Sequence, residues 1–364
     1  MVLWPGEEPP SDTVAIVEGE RPSIAVLPFH NRSGLEEDLV FTDGMHGEII
    51  TQFMKIGGLS VRAPTSVLDY RGSPKNNRQI GEELNAKYIV RGGVQRAGGQ
   101  VRINVQLIEA ATDHLIWAST YDRAMSLENV FSIRTEIVET VADSVMAVIT
   151  PEEMARIEAI PTSNLDAWEL YLLGRHQWST RSPETIRKAI QYFDAAVNLD
   201  STFALAFVGL ADAYGVLPWY DLTVEPLDVY ESARASAILA YELDPSIGEV
   251  YASLGYISLH FELDWVNAER YLKKAVEMVP GSPPAHLWYA NLLASVGRFE
   301  EAVTQCEQAL ALDPSSNALV WGCAGHFMMA GRSDEARARH EQALATEISI
   351  PWIFESFARE LGEN

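Results

Sequence analysis

The second half of the chain repeats itself at a fixed spacing, and this limits the possible folds more than any other feature. The segment GRFEEAVTQCEQALALDP begins at Gly297, and GRSDEARARHEQALA begins at Gly331, 34 residues later. Prolines close successive segments at a similar spacing, at Pro245, Pro280 and Pro314. A period of this length is typical of a solenoid, in which each unit buries its apolar face against the next unit. The second half is therefore predicted to be a helical repeat array.

Each repeat places a bulky residue, a small residue and an aromatic on a first helix, and alternates small and large residues along a second helix that a proline ends. The clearest unit contains Tyr251, Leu254, Gly255, Ala268, Leu272, Ala275 and Pro280. This pattern resembles the tetratricopeptide repeat (TPR), a helix–turn–helix unit of 34 residues. The resemblance implies five units over residues 167–349 and a capping helix over residues 350–364.

The second unit departs from the repeat because it is too long. Tyr214 and Ala233 lie 19 positions apart, and the extra segment GVLPWYDLTVEPL covers residues 215–227. Prolines beside Trp219 and Tyr220 predict a loop insert at about residues 215–227. Two interpretations stay open: the loop binds something, or its Trp219 packs back onto its own repeat.

The first half reads as an α/β module with the element order β-α-β-α-β-β-β-α. The run SIAVLPF is typical of a short buried strand, and three later segments alternate in strand fashion with turn signals between them. The order predicts a mixed sheet covered by helices. We therefore predict a flexible linker over residues 1–21, an α/β domain over residues 22–150, a second linker over residues 151–166, and then the all-α TPR solenoid.

Several residues of this module match a known pattern. They are Ile24–Phe29, Asn31, Ser33, Gly34, Phe41, Asp43, Gly44, Ile80, Gly81, Tyr88–Val94, Val101, Arg102, Gln106, Leu107, Trp117 and Tyr121–Arg123. The module resembles the TolB amino-terminal-like domain found ahead of TPR arrays in bacterial regulators. In such relatives the pair usually follows a nucleotide-cyclase or winged-helix DNA-binding domain. The resemblance implies that this chain is the regulatory portion of a bacterial signalling system. As written it is expected in the cytoplasm, or in the periplasm if it is a fragment of a membrane-anchored regulator.

The stretch FTDGMHGEII brings together side chains that could form a metal or acid–base site, namely Asp43, His46 and Glu48. His46 and Glu48 are two positions apart, so on a helix they point in different directions and cannot share a ligand. Thr42 or Asp43 is well placed to cap a helix that begins at Gly44. We therefore interpret the stretch as a helix start with a solvent-exposed His46.

Composition and motifs argue against several function classes. The chain has 27 basic and 51 acidic residues, a net charge of −24, which opposes binding to nucleic acid or to an anionic membrane. Cys306 and Cys323 are expected to be buried thiols, although a single bridge stays open. We find no catalytic constellation, no metal ligand set and no cofactor motif. The chain is therefore predicted not to be an enzyme.

In TPR folds the first helices of successive units line a concave groove, and the predicted groove positions here are rich in aromatics. Aromatic residues dominate the binding energy of many protein interfaces, so a protein or peptide partner with an apolar segment is expected. The alternative is that some aromatics only pack between repeats. A rival function is a small-molecule sensor in which the α/β module or the insert binds the ligand. The predicted partner-binding residues are Trp168, Tyr171, Arg175, Trp178, Asp212, Trp219, Tyr220, Tyr256, Leu259, Asn291, Trp321 and Met328.

Overall fold

The structure, a computed structural model, describes residues 21–180 and 182–344. It has the predicted fold class, a mixed sheet with helices followed by a TPR-like helical solenoid. The predicted linker over residues 1–21 lies outside the described residues except for Arg21, and so does the predicted capping helix over residues 350–364.

The sheet has six strands in the order β3-β1-β4-β5-β6, and β2 pairs with β4. β1 is parallel to β3 and β4, whereas β4, β5 and β6 are antiparallel. Alternate side chains of β5 are buried and exposed, so this part of the sheet has one covered face and one open face. The strands are β1 Ser23–Val26, β2 His30–Asn31, β3 Ser60–Val61, β4 Tyr88–Ala97, β5 Gln100–Glu109 and β6 His114–Ala124.

Five helices lie within the described residues 21–160, and the two longest bury apolar faces. The long helix α4 buries Val130, Ile133, Ile137 and Val141, the spacing of an amphipathic helix against a core. The helices are α1 Glu37–Met54, α2 Pro64–Leu68, α3 Asn77–Leu84, α4 Leu127–Ser144 and α5 Pro151–Glu158.

The interpretation of FTDGMHGEII as a helix start is wrong. Helix α1 begins at Glu37, so Thr42 lies inside it and its hydroxyl donates to the carbonyl of Asp38 at 2.8 Å. His46 is buried, and its Nε2 donates to the carbonyl of Val26 at 2.8 Å. Gly44 does not start the helix. A Cβ there would lie 2.3 Å from the side chain of Leu172, so the glycine allows a close helix contact.

Ten helices follow as five consecutive pairs within the described part of residues 165–344, and each pair is called a unit below. Within the third unit, α10 continues into one π-helical turn, Ser258–Glu262. The pairs are α6 Leu165–Ser179 with α7 Pro183–Leu199, α8 Ala204–Tyr220 with α9 Pro226–Leu243, α10 Gly248–Ile257 with α11 Trp265–Met278, α12 Pro283–Ser295 with α13 Phe299–Leu312, and α14 Asn317–Met329 with α15 Ser333–Leu344.

The extra residues of the second unit lengthen its helices and do not form the predicted loop over residues 215–227. Helix α8 continues through Pro218 to Tyr220, and α9 begins at Pro226. Pro218 has no N–H to donate to the carbonyl of Tyr214, so α8 lacks one hydrogen bond there and ends two residues later. Trp219 holds this turn through its indole N–H, which donates to the hydroxyl of Tyr256 at 2.5 Å.

The predicted linker over residues 151–166 is not a free tether, because its first half is helix α5 docked on the α/β module. Ile157 is fully buried. Arg134 of α4 is also buried, and its guanidinium donates to the carbonyls of Ile157 at 2.7 Å and Ala159 at 3.1 Å. The same guanidinium pairs with Glu48 of α1 at 3.3 Å. A buried arginine needs such partners to offset its lost hydration.

The first array helix, α6, packs directly on the α/β module. Trp168 is fully buried between Phe41 of α1 and Phe131 of α4. Both rings meet it edge to face, with centroid distances of 5.8 and 5.4 Å. Edge-to-face aromatic pairs add stability beyond the area they bury. At the rim of the same contact, Arg96 pairs with Glu169 at 3.1 Å.

The turns that join successive units also contact the α/β module. The backbone N–H of Gly281 donates to the carbonyl of Met54 at 3.0 Å, and that of Ala63 donates to the carbonyl of Leu312 at 2.9 Å. The hydroxyl of Ser66 donates to Asp313 at 2.5 Å. The α/β module is therefore in contact with the array in the first unit and at the turns after the third and fourth units.

We predict that Trp168→Ala destabilises both halves of the protein. Truncating a large buried aromatic costs roughly 3–5 kcal/mol, and here the cavity would open on α1, α4 and α6 together. Urea unfolding should shift to lower concentration, with increased hydrogen exchange in residues 37–54 and 165–179. Met146→Ala, at an exposed position, is the matched control and should leave both measurements unchanged. Increased exchange confined to the array would contradict a shared core.

Candidate functional site

The structure separates the predicted partner-binding residues into accessible and enclosed groups. Trp219 is 43% exposed and Met328 is 37% exposed, whereas Arg175, Tyr220 and Asn291 are half-buried. The other aromatic and apolar side chains are enclosed, because they pack against the α/β module or between helices of the array. The buried residues are Trp168, Tyr171, Trp178, Tyr256, Leu259 and Trp321.

Trp168 and Tyr171 are therefore corrected from partner-contacting to structural residues. Trp168 is covered by the α/β module. Tyr171 lies against Phe193 and Phe203, with centroid distances of 5.9 and 5.2 Å, which joins the first two units. The sequence alternative, that some of the aromatics only pack between repeats, describes Tyr171, whereas Trp168 packs against the α/β module.

Tyr256 occupies the centre of an aromatic cluster that ties three units together. Its hydroxyl donates to the carbonyl of Gly215 at 3.2 Å and accepts from Trp219. Its ring lies 4.8 Å from Trp288 and 4.4 Å from His260. Burial lowers the pKa of His260 to about 4, so this ring is neutral at pH 7. Of this cluster, Trp219 has the most accessible surface.

Polar pairs lie between neighbouring first helices of the array. The hydroxyl of Ser253 donates to Asp212 at 2.6 Å, which joins α10 to α8. His326 bonds to Asn291 at 2.8 Å, which joins α14 to α12. Burial lowers the pKa of His326 to about 4, so its Nε2 acts as the donor from a neutral ring. Asn291 and Asp212 thus have a structural partner each.

A polar cleft of about 390 Å³ lies between the α/β module and the unit-joining turns. Lys55, Arg134 and Arg156 line it together with Asp200 and Asp244. Burial lowers the pKa of Lys55, although its ammonium donates to Gln52 at 2.9 Å and to the carbonyl of Arg156 at 3.2 Å. The cleft can hold water or a small polar molecule, and sequence reasoning missed it because its walls come from distant segments.

The described part of the chain has few side chains that could act as metal ligands or nucleophiles. No group of three or more His, Cys, Asp or Glu side chains among residues 21–180 and 182–344 is arranged to hold a metal ion. Cys306 and Cys323 are free and buried. Burial, and then the neighbouring Cys323, raise the pKa of the Cys306 thiol, so it is a poor nucleophile. None of the helices described is long and apolar enough to cross a membrane.

These features define a class of protein, an α/β module docked on a TPR-like array. A model described as the second domain of HilA/YgeH-like transcriptional regulators matches residues 20–146. Two tetratricopeptide repeat models match residues 262–307 and 290–349. The repeat part of the sequence resemblance is thereby confirmed.

Two curated bacterial proteins are similar over most of the chain. "Putative adenylate cyclase 3" of Rhizobium meliloti is 29% identical over 304 residues, which are 81% of this chain and 43% of that protein. "Transcriptional regulator HilA" of Salmonella typhimurium is 21% identical over 353 residues, which are 91% of this chain and 59% of that protein. The chain thus spans about half the length of the curated relatives it matches.

The TolB resemblance of the α/β module receives little support. A crystal structure of TolB from Acinetobacter baumannii aligns with 35% of this chain and 29% of its own length, at 14% identity and a TM-score of 0.26. A similarity this low carries no argument about fold or function.

We predict that stability falls as the pH drops from 6.5 towards 4. Burial lowers the pKa of His46 from 6.5 to about 4, so the unfolded chain takes up a proton in this interval while the folded chain does not. The contribution of neutral His46 to the free energy of unfolding is fully present above pH 6.5, and roughly 3 kcal/mol of it is lost at pH 4. In urea titrations across this range, His46→Gln should lose less stability than the parent protein. The control His114→Gln, at an exposed position, should follow the parent, and an unchanged slope in His46→Gln would refute the assignment.

Proposed function

We propose that this protein is a non-enzymatic regulatory protein that binds a protein partner through its TPR array. The observation that carries the proposal is the array itself, five helix pairs with TPR models matching its later units. TPR folds present extended surfaces assembled from successive helix pairs, a form suited to peptide and protein segments. Similarity to a transcriptional regulator and to a cyclase-named protein supports a regulatory setting.

The contact surface is narrower than the sequence implied. Of the predicted partner-binding residues, Trp219 of the insert and Met328 of the groove are exposed, and Arg175, Tyr220 and Asn291 are half-buried. So small an exposed apolar surface favours a partner segment that has a few apolar side chains among polar ones. The net charge of −24 disfavours nucleic acid and anionic membranes as direct ligands.

The relation to longer proteins is part of the same proposal. Both curated relatives extend well beyond the region that matches this chain. We infer that the two modules form the regulatory portion of a bacterial signalling system, with the α/β module acting as a TolB-like domain in the cytoplasm.

The cleft between the modules favours one alternative, a small-molecule sensor. Three cationic side chains line a space of about 390 Å³ where the two modules meet, so a ligand there would contact both. A ligand that binds only the folded state raises the melting temperature by mass action. A thermal-shift screen of small anions, in which a positive shift disappears in Arg156→Gln, would favour the sensor over the partner-binding function.

Partner binding is tested by affinity capture from a lysate of the source organism, with the double variant Trp219→Ala/Met328→Ala. Removing both accessible apolar side chains should deplete a specific partner about tenfold or more, because hot-spot truncations typically cost at least 1.4 kcal/mol. Met146→Ala lies outside the array on an exposed apolar position and should capture the partner normally. Full retention of every partner by the double variant would count against the predicted groove.

A further inference from the structure

The edge of the array opposite the docked α/β module exposes a second apolar surface. The two edges differ because the turns between units contact the α/β module, whereas the turns within units do not make those hydrogen bonds. Five large side chains at the turns within the second and third units are between 50% and 82% exposed. We name this surface the apolar edge, and its residues are Leu222, Leu227, Leu263, Trp265 and Val266.

Contacts between the second and third units hold the apolar edge together. Tyr230 of α9 stacks on Phe261 of the π-helical turn with a centroid distance of 5.3 Å. Arg234 of α9 pairs with Glu262 at 3.0 Å. These contacts place the start of α9, which carries Leu227, beside the end of the π-helical turn, which leads into Leu263. The edge is therefore one surface formed by two neighbouring units.

The backbone at Leu263 is held in an unfavourable conformation that exposes its side chain. Its φ is 55°, in the left-handed region, which costs roughly 1 kcal/mol or more for a residue with a Cβ. Glycine would remove this cost at a turn, yet the chain has leucine there, 69% exposed. π-helical turns and strained residues recur at functional sites. Both features lie at this edge.

The rim of the apolar edge is acidic. Glu225, Asp228 and Glu231 are exposed on α9 and its preceding turn, and within residues 21–180 and 182–344 none of them is in an ion pair. Of the basic side chains near the edge, Arg187 pairs with Asp221 and Arg234 with Glu262, whereas Arg270 is exposed on α11, one turn after Val266. Asp228 also lies in the first turn of α9, where the helix dipole favours it. The acidic side chains therefore outnumber the basic ones beside Leu222 and Leu227, at the part of the edge that the second unit forms.

We propose that the apolar edge docks a basic amphipathic helix of a partner protein. The apolar face of such a helix would cover Leu227, Leu263 and Val266, and its flanking Lys or Arg side chains would meet the acidic rim. A second copy of this chain fits poorly, since it would bring the same acidic rim and a net charge of −24. The proposal rests on the proposed function, partner binding by the array, and assigns it a surface distinct from the groove.

The test measures binding of a fluorescent model peptide, an amphipathic helix of about 18 residues built from Leu and Lys, by anisotropy at low and physiological salt. Leu227→Ser/Val266→Ser keeps the charge of the edge and should weaken binding about tenfold or more. Two controls should bind like the parent protein: Val148→Ser, exposed on the α/β side, and Met328→Ala in the predicted groove. Circular dichroism checks that each variant is folded.

Three outcomes would overturn the proposal. The first is equal binding of a peptide with the same composition but a scrambled order, which would show charge attraction alone. The second is unchanged binding by Leu227→Ser/Val266→Ser. The third is a dimer in sedimentation velocity that this double variant abolishes, which would assign the edge to self-association. The capture experiment separates this proposal from the proposed function. If any of these three outcomes occurs while the parent protein still captures a partner from the lysate, the edge assignment is wrong and the proposed function stands.

Discussion

The structure depends on one contact, the insertion of Trp168 between Phe41 and Phe131. A solenoid unit at the end of an array has an apolar face with no neighbour, and it must be covered. Here α6 covers that face with the α/β module, since Gly44 permits close approach to Leu172. The α/β module thus acts as the amino-terminal cap of the array, and the apolar cores of the two modules are continuous.

The elements of the fold were predicted well because helices and strands depend mainly on residues that are close together in the sequence. The 34-residue spacing located the array, and strand alternation with turn signals located β4, β5 and β6. The errors fall where distant segments meet. His46 was expected at the surface because nothing nearby in sequence shows that it bonds to Val26. Trp168 was assigned to the groove because the repeat pattern cannot show that another module covers α6. The helix through Pro218 was missed because Trp219 and Tyr256 stabilise it across 37 positions.

The two long edges of the array have different roles. One edge contacts the α/β module through the turns at Gly281 and Asp313. The other carries large exposed apolar residues with an acidic rim. Binding surfaces of repeat proteins are commonly sought in the concave groove, but here most predicted groove aromatics are packed inside. Exposed apolar surface remains at Trp219, at Met328 and along the edge.

A TPR array is mechanically soft, since each unit touches only its neighbours and small rotations between units add up along its length. The hydrogen bonds at Gly281 and Ala63 fasten two of its turns to one rigid sheet-and-helix body. Bending of the array at these turns must therefore break the hydrogen bonds of Gly281 and Ala63, so the α/β module restrains the curvature of the array. A displacement of α14 relative to α13 would therefore act on the turn at Leu312 and, through the hydrogen bond from Ala63, on the α/β module.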